Sequence, residues 1–214
     1  MGRFKDDTLV LHNDLYQINM AETYWNDGIH ERKAVFDLYF REMPFNSGYA
    51  VFNGLKRVID YIKNFHFSEA DIDYLKSIGY QDDFLDYLRT LRFTGNIRAM
   101  REGELCFGNE PLLRVEAPLI QAQLVETMLL NIVNFQTLIT TKASRIRQAA
   151  HEDKLMEFGT RRGQEVDAAL WGARAAYIGG FDATSNVRAG KVFDIPVSGT
   201  HAHAMVQTLS LIHI

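Results

Sequence analysis

Three polar clusters in the second half of the chain have the residue types and spacing to do chemistry. The first is Phe158-Gly159-Thr160-Arg161-Arg162-Gly163, which follows the short apolar run beginning at Leu155. Glycine lets a ligand approach the backbone, a helix start offers free N–H groups, and guanidinium is a planar fork matched to carboxylate or phosphate. This makes an anion site, with Phe158 as a flat face for a ring ligand. The second is Asp182 after Gly179-Gly180-Phe181, able to hydrogen-bond a sugar or a ring nitrogen. The third is Gly199-Thr200-His201-Ala202-His203, where a neutral imidazole can serve as nucleophile or proton carrier.

Each cluster has a plainer reading. Arg161 and Arg162 could cap a helix or pair with Glu157, Glu165 and Asp167, Phe158 could be core, and Asp182 could cap a helix starting at Ala183. His201 and His203 share a face only in an extended strand, and no Cys or nearby acid completes a ligand pattern, so no metal site is expected. What favours chemistry is the assembly. Three consecutive strand ends carry an aromatic with Arg, an Asp, and a Thr with His, a set suited to a flat, anionic molecule.

The elements that must position these clusters are three strand-helix pairs: residues 154–158 then 163–176, 177–181 then 183–189, and 192–197 then 203 onward. Strands alternating with helices indicate a parallel α/β arrangement, in which ligands bind at the carboxyl ends of the strands. Upstream, residues from Pro118 repeat apolar side chains at helical spacing around most of the circumference, as in a helix buried on several sides that bridges two domains.

The first part of the chain reads as an α+β module. Asn13-Asp14 can cap a helix whose Leu15, Ile18, Met20 and Tyr24 share a face. Residues 34–40 are dense in strand formers, residues 55–65 have helical spacing, and Ser68 with Asp71 matches a capping box. Residues 82–91 form a further helix, and residues 97–115 alternate between tight turns as short antiparallel strands. The expected boundaries are an N-terminal α+β domain with the bridging helix over 1–150, a partial β/α barrel over 151–208, and a tail over 209–214.

The chain has 214 residues, 47% hydrophobic, with 23 Lys+Arg against 27 Asp+Glu and a net charge of −4. That balance argues against a nucleic-acid surface. Cys106 stands alone, which excludes an intrachain disulfide and suits a reducing compartment. With a polar start and no long apolar span, the protein is expected to be cytoplasmic, without a signal peptide or membrane segment.

Taken together, six motifs resemble the bacterial nicotinate phosphoribosyltransferase family. They are Asn13-Asp14-Leu15-Tyr16-Gln17, the stretches 109–116 and 126–131, Glu157 to Gly163, Gly180 to Asn186, and Gly199 to His203. The likeness runs from about Asp7 to about Gln207. It implies an enzyme of NAD salvage that joins nicotinate to phosphoribosyl pyrophosphate, giving nicotinate mononucleotide and pyrophosphate. ATP hydrolysis would be coupled through a phosphohistidine at His203, with Mg2+ accompanying the phosphates. Phe158 would stack on the pyridine, Arg161 would reach a phosphate or the nicotinate carboxylate with Arg162 in support, Asp182 would face the ring, and Thr200 would line the pocket. Asp14 and Tyr16 would come from the second subunit of a homodimer, Tyr16 closing the other face of the ring.

A β/α barrel takes about 250 residues, so three strands cannot close one. The chain is therefore expected to be a truncated N-terminal portion, its last six residues off the family's pattern. Alternative expectations are a non-catalytic fragment able only to dimerise or bind ligand, and a related quinolinate or nicotinamide phosphoribosyltransferase.

Overall fold

The computed structural model describes residues 9–210. Residues 1–8 and 211–214, and with them most of the expected tail, lie outside the described residues. The chain divides into two compact units, one running to Thr137 and the other beginning at Leu138. The division falls inside the long helix, earlier than the boundary expected after residue 150.

In the first unit the antiparallel sheet is built from β1 (Lys33–Leu38), β3 (Asn96–Ala99) and β5 (Leu113–Pro118), with β5 in the middle. Two further strands, β2 (Ala50–Val51) and β4 (Leu105–Cys106), pair antiparallel. Alternation along β5 explains its central place: Leu113, Val115 and Ala117 are buried, while Arg114 points to the other face and forks onto Asp37 of β1 at 2.7 and 2.8 Å.

Helices α1 (Leu15–Asn26), α2 (Leu55–Lys63), α3 (Glu69–Ser77) and α4 (Asp82–Thr90) surround a core that includes Phe52, Phe65, Ile72, Phe84 and Leu88. The capping box at Ser68 and Asp71 forms as expected, its serine hydroxyl accepting from the Asp71 amide. The expected cap of α1 does not. Asp14 occupies the N-cap position without a side-chain bond, and Asn13 instead donates to the Leu124 carbonyl at 2.7 Å. The buried face of α1 is Gln17, Ile18 and Ala21, while Leu15 is 60% exposed, so the face inferred from apolar spacing alone is displaced.

The long helix α5 (Leu119–Ala150) is buried around much of its first half through Ile120, Leu124, Val125, Met128, Leu129, Ile132 and Val133. Its buried Thr137 both receives the Asn53 amide and donates to the Asn53 carbonyl. Cys106 is fully buried, and burial pushes its thiol up to about 11.

The second unit contains the last part of α5, β6 (Met156–Glu157), α6 (Glu165–Ile178), β7 (Ala183–Thr184), α7 (Val187–Phe193) and α8 (His203–Ser210). β6 and β7 are parallel, and Val197 makes a parallel bridge to Thr184. The α/β class expected from the alternation is correct, but two strands are placed differently. Residues 177–178 continue α6, since its Ala-rich run favours helix, and the helix ends in a Schellman motif. There Phe181 N–H bonds the Ala176 carbonyl, Gly180 N–H bonds Tyr177, and Gly180 takes φ of 104°. Val192 and Phe193, expected in the third strand, end α7, where Phe193 packs on Leu170 and Ala173 and lies 5.0 Å from the Trp171 ring.

Among the described residues no helix is long and apolar enough to cross a membrane.

Candidate active site

The site is organised by the parallel order of β6, β7 and the segment around Val197. Thr184 donates its amide to Pro196 and accepts from the Ser198 amide, both at 3.0 Å, and Ser185 N–H reaches the Glu157 carbonyl at 2.9 Å. The carboxyl ends of the three segments therefore lie side by side. Phe158 to Arg162 follow the first, Ser185 and Asn186 the second, and Ser198 to Thr200 the third.

At the first end, Thr160–Arg162 form a single 3-10 turn in which Arg162 N–H bonds the Gly159 carbonyl at 2.8 Å. Phe158 is 47% exposed and belongs to no core cluster, against the expectation for a structural aromatic. Arg161 and Arg162 are exposed, and among the described residues neither guanidinium is paired with Glu157, Glu165 or Asp167. Glu157 is turned elsewhere, its carboxylate accepting from the Gly159 amide and from the Thr184 hydroxyl, the latter at 2.6 Å. An unpaired pair of guanidinium groups beside an exposed ring can take an aromatic anion.

At the third end Thr200 is exposed, and His203 is the exposed first residue of α8. His201 lies outside the helix, so the two histidines are separated by its start.

Asp182 is not brought to these ends. Because β7 begins at Ala183, Asp182 precedes the strand, and its amide bonds the Leu155 carbonyl at 2.9 Å, before β6 begins. It sits at the amino end, opposite Phe158 and Arg161. Its carboxylate accepts from Leu155 N–H at 2.7 Å and from Arg147 Nη2 at 2.5 Å, so it braces a loop rather than capping a helix. Arg147 also donates to the carbonyls of Gly180, His151 and Asp153, tying the end of α5 to both loops. Sequence reasoning missed this role because an arginine in a polar helix end looks solvated. The residues that do follow β7 are Ser185 and Asn186, and the signal that locates them is the Gly179-Gly180 helix stop.

The Leu155 amide, and then Arg147, hold the Asp182 carboxyl below the usual carboxylate range. A lowered folded value means stability that is present above the ordinary aspartate pKa and lost as pH falls through the lowered one. Arg147→Met should therefore be destabilising at neutral pH, and its deficit should shrink in acid. Urea midpoints for both chains at the two conditions check this.

Asp14 and Tyr16 belong to the first unit and are exposed. The Tyr16 hydroxyl accepts from Gln17 Nε2 at 3.0 Å, and that amide also reaches Glu126 at 3.0 Å. Gln123 bonds both Gln17 and Glu126, completing a polar network. Loss of solvent, then the charges of Glu126 and Asp14, raise the Tyr16 phenol above its ordinary value.

Residues 11–134 match the family model of the nicotinate phosphoribosyltransferase (NAPRTase) N-terminal domain. The chain belongs to that family. It is 66% identical over 205 residues to the nicotinate phosphoribosyltransferase of Bacillus subtilis, covering 95% of this chain and 42% of that one. It is 46% identical to nicotinate phosphoribosyltransferase 2 of Arabidopsis thaliana, covering 92% and 36%. The chain thus spans about two fifths of the length of these relatives. The crystal structure of human nicotinic acid phosphoribosyltransferase superposes with a TM-score of 0.86 at 39% identity, covering 92% of this chain and 40% of that one. The nicotinate-nucleotide pyrophosphorylase of Pyrococcus furiosus shares the fold, with a TM-score of 0.78 at 24% identity over 98% of this chain and 47% of that one.

Proposed function

We propose that this chain carries the N-terminal domain and part of the substrate site of a nicotinate phosphoribosyltransferase of NAD salvage. The observation that supports this most is the 66% identity to the Bacillus subtilis protein of that name, extending over nearly the whole chain and through the Phe158–Arg162 turn. In the reaction the pyridine nitrogen of nicotinate forms a bond to the anomeric carbon of phosphoribosyl pyrophosphate. The bond from that carbon to the pyrophosphate oxygen breaks, and its electron pair leaves with pyrophosphate.

The transition state resembles a ribosyl cation, so the protein's task is to align the ring and hold the anions. Phe158 stacks on the pyridine, Arg161 takes its carboxylate or a donor phosphate, Arg162 adds positive charge, and Thr200 lines the pocket. Asp14 and Tyr16 act across a homodimer, Tyr16 covering the second face of the ring. His203 accepts a phosphoryl group from ATP, coupling hydrolysis to the transfer. Among the described residues no group of three or more His, Cys, Asp or Glu could hold a metal ion. Mg2+ accompanies the phosphates, which suits its preference for phosphate oxygens and water. The compartment is the cytoplasm.

The test is formation of nicotinate mononucleotide from nicotinate and phosphoribosyl pyrophosphate, with quinolinate and nicotinamide as competitors. Nicotinate should be the pyridine consumed, and Phe158→Ala should raise its KM about tenfold or more, as loss of an aromatic contact with its buried area predicts. Preferential use of quinolinate or nicotinamide would move the chain to a related transferase. Binding of nicotinate without turnover would identify a non-catalytic fragment.

A further inference from the structure

We infer that Glu157 is a positioning residue of the pyridine-acid site, holding the Phe158-Gly159 turn against the end of β7. This rests on the assignment of Phe158 and Arg161 to that site. Three bonds tie Glu157 across the two strand ends. One carboxylate oxygen accepts the Gly159 amide, the other accepts the Thr184 hydroxyl at 2.6 Å, and its carbonyl accepts the Ser185 amide at 2.9 Å. Thr184 is buried at 1% exposure, and its hydroxyl oxygen in turn accepts the Asn186 amide at 3.0 Å.

The fit is tight. A Cβ at Gly159 would stand 2.6 Å from Glu157 Oε1, so the turn has closed onto the carboxylate. Both oxygens are engaged by neutral donors, and among the described residues no cation pairs with this acid. Its charge therefore serves geometry. Because the two donors lie on different oxygens, an amide of the same size would turn an NH2 toward one of them and leave the Gly159 amide or the buried Thr184 hydroxyl without its acceptor. The residues on either side of this brace are Phe158 and Ser185, which face the expected ligand end of the sheet.

The test is calorimetric titration of the chain with nicotinate, using Glu157→Gln, Phe158→Ala and the double variant, each checked for folding by its melting curve. Glu157→Gln should weaken nicotinate about tenfold, the size of one charge-assisted hydrogen bond. Because Glu157 acts through the placement of Phe158, the double variant should be little weaker than Phe158→Ala alone. Additive losses would mean general loosening of the unit and overturn the inference. So would unchanged affinity in Glu157→Gln, and so would tighter binding that fades with salt, the mark of a nearby negative charge and nothing more. In those three cases a weakened Phe158→Ala still upholds the site. If the parent chain takes up no nicotinate, the site assignment falls and this inference with it.

Discussion

A Gly179→Ala chain is expected to lose about 3 kcal/mol of stability, at the upper end of the usual cost of overpacking. Gly179 caps α6 where that helix crosses the last part of α5, and the two backbones meet with nothing between them. A Cβ built there falls 2.5 Å from Ala143 Cβ and 2.6 Å from the Thr140 carbonyl oxygen. The second contact matters more, since a helix carbonyl cannot rotate away as a side-chain end can. Backbone angle is not the cause, because φ at Gly179 is −75°, open to any residue. The Thr140 hydroxyl already bonds the Ala175 carbonyl at 3.1 Å across this crossing, so separating the helices also breaks that bond. Urea denaturation should show the midpoint falling with the slope unchanged. Gly48→Ala is the control, since nothing lies within 4 Å of a Cβ there, and it should stay within about 0.5 kcal/mol of the parent. Equal midpoints for the two variants would show that the helices can separate freely.

The second expected result is loss of acid-labile phosphate. Incubated with radiolabelled ATP, the chain should take up label on histidine, His203→Asn should take up none, and His201→Asn should remain labelled. His203 is the first residue of α8, where unpaired N–H groups and the helix dipole favour a phosphoryl group. His201 lies before the helix and lacks that placement. The neutral imidazole nitrogen bonds to the terminal phosphorus as the bond to the bridging oxygen breaks and ADP leaves. Label that persists in His203→Asn would sink this assignment, and label lost only in His201→Asn would transfer it.

Much of the architecture could be read without coordinates wherever local chemistry and tertiary packing demand the same thing. The Ser68–Asp71 box, the alternation of β5, and the all-round apolar pattern of α5 are cases of this agreement. The reading failed where two local signals competed. At residues 177–181, apolar residues suggested a strand, but the alanine-rich helix before them runs on until the paired glycines stop it. In α1, spacing of apolar side chains indicated Leu15, while packing selects Gln17, whose amide has partners waiting on α5.

The sequence by itself determined the family, the parallel α/β character of the second half, and the cluster of Phe158, Arg161 and Arg162, because motif and local periodicity are properties of contiguous residues. Only the tertiary structure decided which acid stands where. Asp182 and Glu157 are both acids beside short strands, and no feature of the chain ranks one above the other. A strand beginning at Ala183 puts Asp182 at the amino end in the grip of Arg147, and the parallel register Glu157 to Thr184 puts Glu157 at the carboxyl end with Phe158. Strand polarity and register are set by where α6 ends and by which backbone groups remain to be paired. Those are long-range quantities that a linear pattern does not contain.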